Sequence, residues 1–334
     1  MSTASSARVA VVIPSYRVTR HVLDVIARVP ARVERIYVVD DCCPDGSGDL
    51  VLRDCTDPRV TVLRNPVNLG VGGAVLRGYS EAVAAGMDII VKIDGDGQMD
   101  PGLIAAFIAP IEAGEADYTK GNRFFEIETV QQMPLLRLVG NIGLSFLTKA
   151  SSGYWHLFDP TNGYTAIHAR VAAWLPQAKI HPRYFFESDM LLRLNTLRAV
   201  VVDIPMHARY EDEVSNLNAG REFFVFLALN LRNLFKRISY NYLLRNFNFA
   251  TIELIAGLVF LGFGMTFGAR MWLHSVLANT YASAGTVMLA GLSTLVGLQL
   301  LLGFINFDMT NIPVSPLHKR LQADARRQPG GDTP

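Results

Sequence analysis

From Met271 through Phe307 the only side chain that titrates near neutral pH is His274, and just before this run Leu254 to Ala269 is uncharged and rich in Leu, Phe and Gly. A helix needs roughly 20 apolar residues to cross a hydrocarbon core. The pattern therefore predicts two spans, one from about Phe249 to Ala269 with Glu253 at its interfacial end, the other from about Thr286 to Phe307. The link over 271–283 carries Trp272, His274, Asn279 and Tyr281, residue types suited to a membrane interface. A pair of buried helices in a large soluble core is the alternative, and the near absence of charge between the runs argues against it. Arg232, Lys236, Arg237 and Arg245 precede the first span, and His318, Lys319, Arg320, Arg326 and Arg327 follow the second. Positive flanks remain in the cytoplasm, so the expectation is a multi-pass protein of the cytoplasmic membrane with its N-terminal domain and both termini on the cytoplasmic side.

Residues 219–246 form a third lipid-related segment. Phe223, Phe224, Phe226, Leu227, Leu231, Leu234 and Phe235 recur at helical spacing with cations between them. Such a face suits a helix lying in the membrane plane, although a helix packed on a soluble domain has the same pattern. The rest of the composition excludes more than it selects. A net charge of +1 lacks the basic excess of a nucleic-acid binder. No apolar h-region follows Met1, so no signal peptide is expected. Cys42, Cys43 and Cys55 are expected as free thiols.

The first 200 residues alternate between short apolar runs and helical segments. Val9–Ile13, Arg35–Val39, Val60–Arg64 and Ile89–Ile93 are strand-sized, with helices expected over 19–29, after Gly48, and, following the run Asn68–Gly73, in an Ala-rich stretch to Ala85. Further strands are expected over 117–123, 166–169 and 200–205, the last as an edge or antiparallel strand. This order predicts an α/β fold with a mostly parallel sheet, whose ligands bind beyond the carboxyl ends of the strands. Gly70-Val71-Gly72-Gly73 resembles part of a dinucleotide fingerprint, but it follows the third strand and lacks the ribose-binding acid, which disfavours hydride transfer.

Two acidic clusters fall at strand ends. Asp94-Gly95-Asp96 sets two carboxylates on one turn, an arrangement that can hold Mg2+ or Mn2+ against diphosphate oxygens. Asp40 and Asp41 could accept hydrogen bonds from a base edge and a ribose, or simply cap the next helix. Asp159 to Tyr164 is a polar turn that could line a pocket. Glu187 and Asp189 open a helical pattern but do not share a helix face. Arg123, His207, Arg209 and Arg221 are candidate phosphate ligands.

The motifs Val12-Ile13-Pro14, Asp40-Asp41, Asn68-Leu69-Gly70, Asp94-Gly95-Asp96 and the Glu187/Asp189 segment, in that order, resemble family 2 glycosyltransferases of the GT-A fold. The subgroup resembled is that of dolichyl-phosphate mannose synthase and the bacterial polyprenyl-phosphate glycosyltransferases, over about residues 8–245. The resemblance implies transfer of one sugar from a UDP- or GDP-sugar to a polyprenyl phosphate, undecaprenyl or dolichyl, in a membrane-bound and self-associating enzyme. It makes Pro14, Ser15, Tyr16, Asp40, Asp41, Gly70, Asp94, Asp96 and Arg123 the donor-binding set. Asp94 and Asp96 become the metal ligands, and Asp96, Asp189 and Arg209 the catalytic residues. Arg209 and Ser215 match a phosphate-contacting stretch in which Asn216 replaces the usual lysine. The implied organisation is a GT-A domain over 1–215, an amphipathic region over 216–246, a transmembrane hairpin over 247–309 and a basic cytoplasmic tail over 310–334.

Two other functions compete. A processive polysaccharide synthase needs a channel, for which two spans are few, and no Gln-x-x-Arg-Trp motif occurs. A non-catalytic membrane adaptor of the same fold would not need Asp94 and Asp96, and both are present.

Overall fold

The structure, a computed structural model, describes residues 6–123, 135–206 and 219–327. They divide into an α/β unit, which runs to Leu234 and resumes at Pro313, and a second unit over Phe235–Ile312.

The α/β unit is built on a seven-stranded sheet. Its strands are β1 (Val9–Ser15), β2 (Arg35–Asp40), β3 (Val60–Arg64), β4 (Ile89–Lys92), β5 (Tyr118–Asn122), β6 (Thr165–His168) and β7 (Val201–Pro205), in the spatial order β3-β2-β1-β4-β6-β5-β7. All seven residues of β1 are buried, as a central strand covered on both faces requires. One core packs Val12, Val39, Tyr79, Ile90, Ile167 and Met190 on one face, and a second packs Val11, Val38, Val91, Phe107 and Ala166 on the other. The alternation of these residues along each strand is the period-two signature of a pleated sheet.

Among the described residues the one reversed strand is β6, which pairs antiparallel with both β4 and β5, whereas β7 is an edge strand running parallel to β5. The antiparallel element therefore lies inside the sheet and not at residues 200–205. The register puts Thr165, the first residue of β6, opposite Lys92 and Lys120. The turn that precedes β6 is thereby delivered to the carboxyl ends of its two neighbours.

In the second unit, helices Phe249–Ala278 and Ala284–Thr310 are each long and apolar enough to cross a membrane. The first outruns its expected span by a full turn and more, because nothing between Ala269 and Ala278 breaks a helix. It stops at Asn279, a residue in the left-handed conformation, so the link shortens to 279–283. Asn248 and Thr251 form a capping box at its start, and Ser283 caps the second helix. A side chain at Gly297 would lie 2.4 Å from the backbone nitrogen of Leu261, so glycine there permits the close helix approach. Leu258, Val259, Leu273, Leu292 and Leu295 are more than half exposed. Apolar exposure of that extent belongs to a lipid-facing surface, and the hairpin is a membrane-spanning unit. Arg237 is bonded to Asp308 at 2.6 and 2.8 Å, and the Tyr242 hydroxyl donates to the same carboxylate at 2.6 Å.

After the hairpin the chain returns to the α/β unit. Asp117, fully buried, accepts the backbone N–H groups of Val200, Leu317 and His318 and bonds His318 Nδ1 at 2.7 Å. It thus caps the start of helix Leu317–Arg327. His168 stacks on the His318 ring at 4.3 Å. Burial pushes the His168 pKa down to about 4, helped by His318 and Arg170. A histidine held below its unfolded pKa of about 6.5 binds fewer protons when folded, so stability is lost as pH falls from about 6.5 toward 4. Acidification from pH 7 to 5 should loosen this helix by on the order of 1–2 kcal/mol. Hydrogen exchange of amides 317–323 should show that loss, and His168→Gln should remove most of it.

Candidate active site

A cleft of about 530 Å3 opens beyond the carboxyl ends of β1 and β4. Pro14 and Tyr16 from the end of β1, and Asp94, Gly95 and Asp96 from the turn after β4, form one side. Thr161, Asn162 and Gly163, delivered by the reversed β6, form another, and Tyr184 and Glu187 close it from the start of helix Phe186–Leu197. Arg123, Met206 and Phe226 complete the wall. Arg123 is held by Asp159, with Nε 2.7 Å from Oδ2 and Nη2 3.2 Å from Oδ1.

The floor is ionic. Lys92 ends β4, its side chain 2% exposed, with Nζ 2.8 Å from Asp94 Oδ1 and 3.7 Å from Glu187 Oε1. Desolvation opposes the Lys92 ammonium, but Asp94 and Glu187 together outweigh it and raise its pKa. Glu187 lies farther away, so burial prevails over Lys92 and Lys120 there and its pKa is raised. Lys120 is buried behind this pair, bonded to the Asn162 carbonyl, and desolvation lowers its pKa to about 8. The arrangement presents oxygen donors and cations side by side in a polar recess, which suits a phosphorylated, hydroxyl-rich ligand.

Known proteins agree with this architecture. Residues 10–173 match the family model for glycosyl transferase family 2. The α/β unit carries a glycosyltransferase family 2 sequence over those residues. It is 32% identical over 154 residues to a UDP-N-acetylglucosamine–dolichyl-phosphate N-acetylglucosaminyltransferase of Methanococcus voltae, covering 46% of this chain and 61% of that one. It is 28% identical over 212 residues to a polyprenol monophosphomannose synthase of Mycolicibacterium smegmatis, covering 60% and 76%. The chain thus spans less than two thirds of the first relative's length. In fold it resembles glucosyl-3-phosphoglycerate synthase from Mycobacterium tuberculosis, solved with Mn2+, UDP and phosphoglyceric acid. That likeness has a TM-score of 0.51 at 17% identity, over 69% of this chain and 78% of the other.

Five residues expected at the site line the cleft: Pro14, Tyr16, Asp94, Asp96 and Arg123. Others are engaged elsewhere. The Ser15 hydroxyl donates to the Ile13 carbonyl. Asp40 accepts the backbone N–H groups of Cys43 and Gly48, and Asp41 accepts those of Leu69 and Gly70 together with the Asn65 amide. Both acids are buried and bind their own loops, the capping role that the sequence left open. Gly70 has φ +84°, and a side chain there would lie 2.7 Å from the Pro182 carbonyl, so it serves a tight backbone approach beside the cleft. Asp189 is fully buried and accepts from the His181 backbone and the Asn233 amide. Two residues along a helix is a rotation of about 200°, so Glu187 faces the cleft and Asp189 faces away from it. His207, Arg209, Ser215 and Asn216 lie outside the described residues, as does the side chain of Arg221.

Lys92 and Glu187 are the residues that sequence reasoning missed or undervalued. Lys92 had a signal, a single cation closing an otherwise apolar strand. Among the described residues no group of three or more His, Cys, Asp or Glu is placed to hold a metal. Asp94 and Asp96 still fit Mg2+ or Mn2+, which take one or two carboxylates and fill their remaining positions with water and phosphate oxygens.

Gly163 fixes the spacing of the floor. A side chain there would lie 2.5 Å from Lys92 Nζ and 2.9 Å from Asp94 Oδ2. Gly163→Ala should cost about 1–3 kcal/mol by overpacking and lower turnover about tenfold or more while near-UV circular dichroism stays native. Unchanged turnover would show that the floor tolerates displacement.

Proposed function

We propose that this chain transfers a single sugar from a UDP- or GDP-linked donor to a polyprenyl phosphate such as undecaprenyl or dolichyl phosphate, with inversion at the anomeric carbon. The observation that carries the reading is the coexistence of two units in one chain. One is a family 2 sheet with Asp94 and Asp96 lining a polar cleft, and the other is a two-helix membrane hairpin. Relatives named for dolichyl-phosphate and polyprenol acceptors support it.

The acceptor needs little activation. A phosphate monoester has a second pKa of about 6 and is largely dianionic at neutral pH, so one of its oxygens can attack directly. The new bond forms at the anomeric carbon as the bond to the nucleoside diphosphate oxygen breaks. An α-linked donor then yields a β-linked lipid phosphate sugar. A divalent ion held by Asp94 and Asp96 would offset the charge of the departing diphosphate. Arg123, oriented by Asp159, would meet phosphate oxygens, and Glu187 would bond sugar hydroxyls at the floor. Asp189 would act only by fixing the helix that carries Glu187.

Membrane attachment matches the acceptor, since each lipid CH2 taken into water costs roughly 0.8 kcal/mol. The segment after the second helix packs in the α/β unit, and a chain that crosses twice ends on the side where it began. With the basic flanks, this supports a cytoplasmic site and cytoplasmic termini.

The test is a panel of UDP- and GDP-sugars with a short polyprenyl phosphate and Mg2+ or Mn2+, followed by mass analysis and NMR of the extracted lipid. One sugar per lipid, β-linked from an α-linked donor, is expected, and Asp96→Asn should reduce turnover by about 100-fold or more. A retained configuration would reject single displacement, and a polymer would indicate a processive enzyme.

A further inference from the structure

Lys92 does something the transfer chemistry alone does not require. It is a buried cation at the floor of the cleft, in bonding contact with one of the two carboxylates available to a metal. The Asp94 oxygen that it engages, Oδ1, lies 2.8 Å from Nζ, and Glu187 shares the same ammonium from 3.7 Å. Gly163 leaves no more than the room the ammonium needs. Solvent does not screen the contact, because the Lys92 side chain is 2% exposed.

We propose that Lys92 is a built-in counter-cation that makes metal binding conditional on the nucleotide. With no nucleotide present, a dication approaching Asp94 and Asp96 meets a fixed positive charge and finds one Asp94 oxygen already committed. A nucleoside diphosphate reverses that balance. Its anionic oxygens attract the dication and the ammonium together, so metal and diphosphate enter as a coupled pair. Glu187 holds Lys92 from the other side and keeps the ammonium on the floor. Lys92 is in this sense a positioning residue. The diphosphate half of the inference rests on the donor proposed above.

Binding linkage is reciprocal, so the coupling is measurable from either ligand. Free Mn2+ is counted by electron paramagnetic resonance during titration of the full-length protein in detergent, without nucleotide and with UDP or GDP, after correction for Mn2+ bound to nucleotide in solution. In the wild type the better nucleotide should tighten Mn2+ by about tenfold or more. Lys92→Met should tighten Mn2+ by at least about fivefold in the nucleotide-free protein and shrink the coupling correspondingly. Lys92→Arg should restore the wild-type behaviour. Should Lys92→Met fail to fold, Glu187→Gln gives the opposite sign, weakening nucleotide-free Mn2+ binding by leaving the ammonium wholly to Asp94. Equal nucleotide-free affinity in wild type and Lys92→Met, or in wild type and Glu187→Gln, overturns the proposal. If neither nucleotide binds the wild type, the donor reading and the coupling fall together, while the nucleotide-free comparison still decides the role of Lys92.

Discussion

The site depends on one strand that runs against its neighbours. β6 enters the sheet between β4 and β5 in antiparallel sense. In a fully parallel sheet the segment preceding that strand would arrive at the amino ends, on the far side from any ligand. Reversal brings Thr161, Asn162 and Gly163 to the carboxyl ends, over Lys92 and beside Asp94. The same turn supplies Asp159, which fixes Arg123 after β5. A hydrogen-bond register thus assembles parts of the chain about 70 residues apart into one recess.

Much of the fold was legible because its elements carry strong periodic signals. Val9-Ala10-Val11-Val12-Ile13 reads as a buried strand from its length and punctuation, and the long, nearly uncharged tail favours a spanning pair over buried helices. Strand direction was not legible. Thr165–His168 is four residues long, and nothing local distinguishes a parallel strand from an antiparallel one when both faces are buried. The end of the first membrane helix was missed for a related reason, since Trp272 and His274 mark an interface by residue type but do not interrupt a helix.

The placement of Asp94 and Asp96 at the cleft was legible, because they directly follow a strand's carboxyl end, whereas an acid with two possible employers could not be placed. Asp40 and Asp41 stand at a strand end, where a ligand acid and a loop cap have the same sequence signature, and both bond backbone N–H groups. Glu187 and Asp189 illustrate the same ambiguity on a helix. Their spacing showed that they diverge, but choosing the inward-facing one requires knowing which side of the helix the sheet covers.

Four buried acids outside the cleft lining hold backbone. Asp40, Asp41, Asp117 and Asp189 each accept at least one backbone N–H from a loop or helix start that carries chain to or past the sheet. An unpaired buried amide would cost about 1–3 kcal/mol, so each carboxylate fixes a loop by satisfying donors that nothing else reaches. Of the acids facing the cleft, Asp94 and Glu187 are left with a different partner, the Lys92 ammonium. A cleft lined by Asp94, Asp96 and Glu187 alone would repel a nucleoside diphosphate, and one lined by Lys92 and Lys120 alone would hold the diphosphate product too firmly. The two lysines offset two of the three carboxylates, which lets ligand charge and any accompanying cation decide the occupancy.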